Sequence, residues 1–336
     1  MSIVRQRLAG AVVIAAVLGS ATACATSAAQ TANGPNTTGS QVVTVAANAN
    51  NAKPVQLTVP VVASIRAELP KAVLDSGKLV IGVGALPAGF PPLAYVGTDQ
   101  QTLTGSEPDL GRLVAAVFGL TPDLQNASWE NLFVRIQSGQ FNVGFSNITD
   151  TELRKQQGLD FASYRQDNLA FEVKRSSTWN FDGDYENLAG RTVAVGSGTN
   201  QEKILLAWQA KLKSEGKTLD VRYFNDQNST YLALDAGRID VYFGPNPDVS
   251  YHVSQDTGTP NPTRNAGKFS GAGATLQGLI SATTRKGNGL VKPLADALNY
   301  LIHSGRYARW LAAYNLSNEA VSTAQVNPPG LPLSDS

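Results

Sequence analysis

The feature that most constrains the fold is a helix–turn–strand pattern that occurs twice, about 98 residues apart. Residues 135–147 read RIQSGQFNVGFSN and residues 233–246 read ALDAGRIDVYFGPN. In both, a predicted helix ends at a small residue and a glycine. After two further residues comes Asn or Asp, followed by valine and a predicted strand. Strands that alternate with helices form mostly parallel sheets covered by helices. The repeat predicts two α/β lobes of one plan with a cleft between them, because open α/β sheets bind ligands at the carboxyl ends of their strands.

The composition allows one large or two medium globular domains and gives no sign of nucleic-acid binding. The chain has 336 residues, of which 42% are hydrophobic and 16% charged, with 27 Lys and Arg against 26 Asp and Glu. A formal net charge of +1 creates no field that would attract nucleic acid or an anionic membrane surface. We therefore expect no nucleic acid among the partners.

The N-terminus predicts export across a membrane. Arg5 and Arg7 precede an apolar run of about eleven residues and a group of small residues, as in a secretory signal peptide over residues 1–23. Cys24 is the only cysteine, so it can form neither an intrachain disulfide nor a metal site by itself. The surrounding ATAC resembles the bacterial lipobox, which predicts a lipid anchor on Cys24. Ordinary secretion, with cleavage after Ala23, is the alternative.

Both ends of the mature chain have the composition of flexible segments. Residues 24–55 are mostly Ala, Ser, Thr, Asn and Gly, and such a sequence buries too little apolar surface to offset the entropy of ordering. We expect this segment to be a tether. Residues 319–336 are expected to be a flexible tail.

The stretch SNITDTELR predicts an anion site at the end of a strand. Thr151, or Thr149 with Glu152, can cap a helix whose first turn contains Arg154. A helix N-terminus carries unpaired N–H groups and a partial positive charge, and an arginine fork can hold a carboxylate with two parallel bonds. The alternative from this stretch alone is a capped surface helix with a solvated Arg154.

Six phrases together resemble the family 3 extracellular solute-binding proteins of polar amino-acid ABC transporters. The resemblance covers about residues 77–318 and implies a periplasmic-binding-protein type II clamp, an α/β fold whose chain crosses twice between lobes. It implies lobe 1 at 77–167 plus 276–318 and lobe 2 at 168–275. The phrases, in order, are GSEPDL, SWENLFVRIQSGQFNV, SNITDTELR, AVGSGTNQE, AGRIDV and TTRKG.

The same resemblance implies the ligand-binding residues. In the family, the residue at Arg154 clamps the α-carboxylate of the ligand, and the segment matching 196–201 closes on it from the other lobe. An aromatic residue at the position of Phe90 stacks on the ligand, and Trp129 matches a pocket position that core packing could also explain. The residues expected to bind ligand are Phe90, Trp129, Ser146, Asn147, Thr149, Arg154, Gly198, Thr199, Asn200 and Asn246.

The sequence departs from the family at the ammonium-binding aspartate, where it has Pro245. A buried ammonium group without a partner is costly. Either Asn246 or Asp248 therefore takes over this role, or the ligand has no ordinary ammonium and bears an amide, thioether or quaternary amine. The loop before Phe90 has no acidic residue, so a cationic side chain such as that of lysine is not expected.

The function implied is capture of a small carboxylate solute by lobe closure and its delivery to an ABC permease. We expect a monomer outside the cytoplasmic membrane, anchored by lipid, with no cofactor, no metal and no catalytic residues. Two alternatives remain: an enzyme on the same fold, similar to cyclohexadienyl dehydratases, and a sensor that signals to a membrane receptor. His252 and His303 lie outside the matched phrases, which disfavours the enzyme.

Overall fold

The computed structural model describes residues 39–50, 52–224 and 226–334. The predicted signal peptide and Cys24 lie outside these residues. Within them, no helix has both the length and the apolar character needed to cross a membrane. The strands are β1 (Ser40–Val45), β2 (Val55–Pro60), β3 (Lys78–Leu86), β4 (Tyr95–Val96), β5 (Leu103–Thr104), β6 (Thr121–Ser128), β7 (Val143–Gly144), β8 (Leu159–Lys174), β9 (Thr192–Val195), β10 (Asp220–Tyr223), β11 (Val241–Pro245), β12 (Thr263–Ser270) and β13 (Gly278–Arg285).

Helices cover the sheet and follow the repeat seen in the sequence. In both copies the chain leaves a helix through a glycine with left-handed backbone, Gly139 (φ 79°) and Gly237 (φ 68°), and then enters a strand. Glycine suits these positions because it has no Cβ to clash in that region. The helices are α1 (Ala63–Arg66), α2 (Lys71–Ser76), α3 (Ser106–Phe118), α4 (Trp129–Ser138), α5 (Glu152–Gln156), α6 (Asn200–Ser214), α7 (Gln227–Asp235), α8 (Asn246–Asp256), α9 (Val291–His303) and α10 (Arg306–Ala313).

One mixed sheet runs through both halves of the protein, in the order β10-β9-β11-β8-β13-β7-β3-β6, with β12 also paired to β8. Strand β3 is parallel to β6 and β7, and β9 is parallel to β10 and β11. This arrangement confirms the predicted α/β class. Lobe 1 denotes residues 77–167 plus 276–318, and lobe 2 denotes residues 168–275.

Strand β8 changes partners in its middle. Asp167 pairs with Gly278 of β13, whereas the next residue, Asn168, pairs with Ser270 of β12. The chain therefore passes between the two halves of the sheet twice, once within β8 and once between β12 and β13. These two passages lie side by side, which is the geometry of a hinge.

The expectation of a tether over residues 24–55 must be corrected for the residues that the structure describes. Strand β1 pairs antiparallel with β2, and Val45, Leu57 and Val59 are fully buried in the core of lobe 1. The Ala46 amide N–H donates to Asp109 Oδ2 at 2.7 Å. The run Val42–Val45 supplies four consecutive β-branched side chains, which the polar composition around it conceals.

The expectation of a flexible tail over residues 319–336 must also be corrected, as far as residue 334. Glu319 and Leu331 are fully buried. The backbone amide of Ser163 donates to Gln325 O at 3.0 Å, and that of Leu331 donates to Asp150 O at 3.0 Å. The segment is held by hydrogen bonds to lobe 1 despite its Pro- and Gly-rich composition.

Candidate ligand-binding cleft

A cavity of about 460 Å³ lies between lobe 1 and lobe 2. Its size suits a small organic molecule. Lobe 1 supplies the loop after β3, the start of α4 and residues 146–147. Lobe 2 supplies the turn before α6, residues 223–224, and the starts of α7 and α8. These are carboxyl ends of strands and amino ends of helices, as expected for open α/β sheets.

Six of the ten residues expected to bind ligand line this cavity, and four do not. The residues that line it are Phe90, Trp129, Ser146, Asn147, Thr199 and Asn200. Those that are not among the lining residues are Thr149, Arg154, Gly198 and Asn246.

Arg154 is buried beside the cavity and faces lobe 2. It is 7% exposed, Nη1 donates to Thr149 O at 2.8 Å, and Nη2 donates to Gly198 O at 3.2 Å. Its guanidinium lies 5.4 Å from the ring centre of Trp129 and 4.8 Å from that of Phe133. Burial lowers the pKa of Arg154 to about 10, so the side chain stays a cation at neutral pH. The alternative of a solvated arginine is wrong.

The start of α5 fixes the position of this arginine. Thr151 is the N-cap, and its Oγ1 accepts a hydrogen bond from the backbone N–H of Arg154 at 3.1 Å. This agrees with the first of the two caps considered from the sequence.

The two lobes meet at Gly198. Its carbonyl oxygen accepts hydrogen bonds from Arg154 and from Trp129 Nε1, each at 3.2 Å. Gly198 has φ 71°, a left-handed conformation, and a Cβ there would lie 3.5 Å from the Trp129 indole. Two lobe 1 side chains therefore close on one backbone turn of lobe 2.

A hinge carboxylate joins two more of the expected residues. Asp167 Oδ2 accepts from Thr149 Oγ1 at 2.8 Å and from Asn200 Nδ2 at 3.0 Å. Burial raises the pKa of Asp167 to about 6. Thr149 and Asn200, both expected to contact ligand, thus share one hydrogen-bond partner at the hinge, and no sequence pattern singled out Asp167.

Asn147 lines the cavity in a left-handed conformation, with φ 53°. Its backbone N–H donates to Glu107 Oε2 at 3.0 Å, and its side-chain oxygen accepts from Arg165. Arg165 is itself buried between Glu107 and Glu319. This buried ionic network fixes the orientation of Asn147, and no sequence pattern groups these residues.

Asp248 places a buried carboxyl group at the cavity, three residues beyond Pro245. It lines the cavity and is 2% exposed, and its Oδ2 accepts from Gln227 Nε2 at 2.6 Å and Tyr231 Oη at 2.9 Å. Burial raises its pKa to about 7. Asn246, the other candidate, is buried outside the lining, and its Nδ2 donates to Glu319 Oε1 at 3.0 Å. Its contact with ligand stays a prediction.

The described lining of the cavity is acidic and aromatic. It contains Glu130, Asp226 and Asp248 but no Lys or Arg. Carboxylates and ring faces both attract cations. A ligand with a cationic side chain was not expected, because the loop before Phe90 has no acidic residue. The three acids that line the cavity belong to other segments of the chain, so the absence of an acid in that loop does not argue against such a ligand. The aromatic residues are Phe90, Trp129, Tyr223, Phe224, Tyr242 and Phe243.

Among the described residues, no group of three or more His, Cys, Asp or Glu side chains is placed to hold a metal ion.

Comparison with known proteins identifies one family. The model for bacterial extracellular solute-binding proteins, family 3, matches residues 81–317. The L-cystine-binding protein TcyJ of Escherichia coli (strain K12) is 28% identical over 169 residues, which are 50% of this chain and 59% of TcyJ. The arginine-binding protein ArgT of Corynebacterium glutamicum is 27% identical over 269 residues, 79% of this chain and 83% of ArgT.

Solved structures agree on the fold. An ancestral arginine-binding protein bound to arginine matches with a TM-score of 0.60 and 24% identity over 71% of this chain and 98% of its own. The ancestral amino-acid-binding protein AncCDT-1, a precursor of cyclohexadienyl dehydratase, matches with a TM-score of 0.60 and 20% identity over 72% of this chain and 97% of its own. The fold is that of a type II periplasmic binding protein.

Proposed function

Because this chain belongs to the bacterial extracellular solute-binding proteins of family 3, we propose that it captures an amino acid or a close derivative between its lobes and delivers it to an ABC permease. The observation that carries the proposal is the cavity between the lobes, closed on one side by the contacts of Trp129 and Arg154 with Gly198. A ligand that contacts both lobes stabilises the closed arrangement, which the permease recognises.

Arg154 is proposed to bind the carboxylate of the ligand. The two described hydrogen bonds of the Arg154 guanidinium end on neutral carbonyl oxygens, Thr149 O and Gly198 O. A carboxylate accepts a stronger, charge-assisted pair of bonds from the same guanidinium. On binding, the carboxylate replaces at least the Gly198 oxygen, while the turn at 196–200 offers N–H groups at the start of α6.

Asp248 is proposed to bind a cationic group of the ligand. Three of its hydrogen bonds, from Gln227, Tyr231 and Tyr242, all end on Oδ2 and none on Oδ1. Asp248 is thus the partner for an ammonium or guanidinium group, with aromatic rings around it. The names of two similar proteins, which specify arginine, support L-arginine as the first ligand to test.

The location of the protein is proposed to be the outer face of the cytoplasmic membrane. The family is extracellular by description, and the signal-like N-terminus with Cys24 supports lipid anchoring of a monomer. Mass spectrometry of the N-terminal peptide of protein from membranes distinguishes a lipidated Cys24 from cleavage after Ala23.

The test of the function is isothermal titration calorimetry with a panel of ligands. L-arginine, L-lysine, L-cystine, L-glutamine and glycine betaine cover cationic, neutral and quaternary groups. At least one should bind with a dissociation constant in the micromolar range or below, and ligand at 100 times its dissociation constant should add about 2.7 kcal/mol to the free energy of unfolding. Absence of binding by all amino acids and betaines would overturn the proposal.

A further inference from the structure

The segment after residue 318 lies across the junction of the two lobes. The match to the family model ends at residue 317, so this segment lies outside the matched region. We call residues 319–332 the C-terminal strap. It leaves lobe 1 after α10 and is held along β8 towards the start of α5.

The strap is attached to lobe 1 through its middle. Asn327 is fixed to Phe161 of β8 by a pair of hydrogen bonds, from its own N–H to Phe161 O and from the Phe161 N–H to its Oδ1, each 2.8 Å. Its Nδ2 donates to Asp160 Oδ1 at 3.0 Å. Farther along, the Glu152 N–H donates to Leu331 O at 3.0 Å. These contacts fix the strap to the lobe 1 half of β8 and to α5.

The first contact of the strap with lobe 2 is Glu319. This carboxylate is fully buried. One oxygen accepts from Arg165, and the other accepts from Asn246 Nδ2 at the start of α8. Because Arg165 also holds Asn147 at the cavity, Glu319 joins a lobe 2 helix to the network that positions a cavity residue.

The second contact with lobe 2 is the end of the strap. Leu331 is fully buried and belongs to the apolar core cluster of lobe 2, together with Leu169 and Ile204. Next to it, Lys203 of α6 donates to Pro332 O. The strap is thus bound to lobe 2 at both ends and to lobe 1 between them.

We propose that the C-terminal strap is a third connection between the lobes, and that it stabilises the arrangement in which they meet. The two passages at β8 and at β12–β13 allow lobe 2 to rotate as a hinge. Rotation away from lobe 1 separates Asn246 from Glu319 and withdraws Leu331 from its apolar neighbours, unless the strap leaves β8. Glu319 and Leu331 are therefore positioning residues for closure, and neither lines the cavity.

The test measures the distance between the lobes directly. Spin labels are placed through Val134→Cys on α4 and Leu232→Cys on α7, both exposed positions (60% and 63%). The full chain carries Cys24→Ser, so that only the introduced cysteines react. Double electron–electron resonance then gives the distance distribution between the lobes without any ligand, so the result does not depend on whether the proposed function is correct.

Leu331→Ala is compared with Leu333→Ala as a matched control, because Leu333 is 49% exposed, two residues farther along the same segment. We expect Leu331→Ala to shift the distribution to longer distances and to broaden it, whereas Leu333→Ala leaves it unchanged. Asn246→Ala removes the other lobe 2 contact without altering the strap and should lengthen the same distance. If neither Leu331→Ala nor Asn246→Ala lengthens it, the strap has no role in closure, even where melting temperatures fall.

Discussion

Replacing Asp248 by asparagine is expected to stabilise the folded protein while it removes binding of a cationic ligand. Burial raises the pKa of Asp248 to about 7, against 3.8 for an ordinary aspartate. Hydrogen bonding from Tyr231 and the nearby His252 oppose this rise, and the charge of Glu172 adds to it. The folded protein therefore holds a carboxylate that prefers to be neutral.

The sign of the pH dependence follows from the raised pKa. Below about pH 4 the carboxyl group is protonated in both states and favours neither. Between pH 4 and pH 7 the unfolded chain releases a proton that the folded protein retains, so this group lowers the free energy of unfolding as pH rises. A difference of about three pKa units corresponds to about 4 kcal/mol at pH 8. Asparagine avoids this penalty, and its Oδ1 can accept the same hydrogen bonds.

Urea unfolding of wild type and Asp248→Asn, followed by tryptophan fluorescence from pH 4 to pH 8, measures the effect. The variant should gain up to about 4 kcal/mol over wild type at pH 8 and show little gain at pH 4. Asp226→Asn is the control: hydrogen bonds from Ser229 lower the pKa of Asp226, so this carboxylate is ionised in the folded and the unfolded state above pH 4, and the stability difference for Asp226→Asn should stay nearly constant from pH 4 to pH 8. A stability difference for Asp248→Asn that stays constant across this pH range refutes the reasoning.

Three further predictions concern the cavity. Arg154→Ala should weaken binding of the amino-acid ligand by about 2–5 kcal/mol in calorimetry, because a desolvated carboxylate loses its partner. Arg309→Ala, at an exposed position, is the control and should leave the affinity unchanged. Trp129→Phe keeps a ring but loses the hydrogen bond to Gly198, so the dissociation constant should rise about fivefold, a net loss of about 1 kcal/mol. Prephenate incubated with the protein should not be converted, as measured by product absorbance, and turnover would favour the enzyme alternative.

The sequence predicted those parts of the cleft that depend on local patterns. The repeated glycine turns fix where two helices end and two strands begin, and the family resemblance identified Phe90, Trp129 and Asn147 in the lining. Thr151 is visible as a cap because its partner is three residues away. Contacts of this kind are encoded at short separation in the chain.

Glu319 could not be predicted in the same way, because its role depends on contacts distant in sequence. For the acidic group near Pro245, the sequence left Asn246 and Asp248 as alternatives. Asp248 lies at the start of α8, three residues beyond Pro245, and its contact with ligand is a proposal. Glu319 meets Arg165 across 154 residues. The tether boundary was wrong for a different reason: an average over residues 24–55 concealed four residues, Val42–Val45, that can pair as a strand.

The proposed roles of Arg154 and Asp248 together restrict the ligand more than either does alone. Arg154 is a buried cation on lobe 1, and Asp248 is a buried acid on lobe 2 whose pKa is raised to about 7. A ligand with only a carboxylate leaves Asp248 without a cationic partner, and one with only an ammonium leaves Arg154 on its neutral carbonyl partners. A zwitterion would satisfy both and join the lobes, so in the proposed mechanism the charge pair that selects an amino acid is also the pair that closes the clamp.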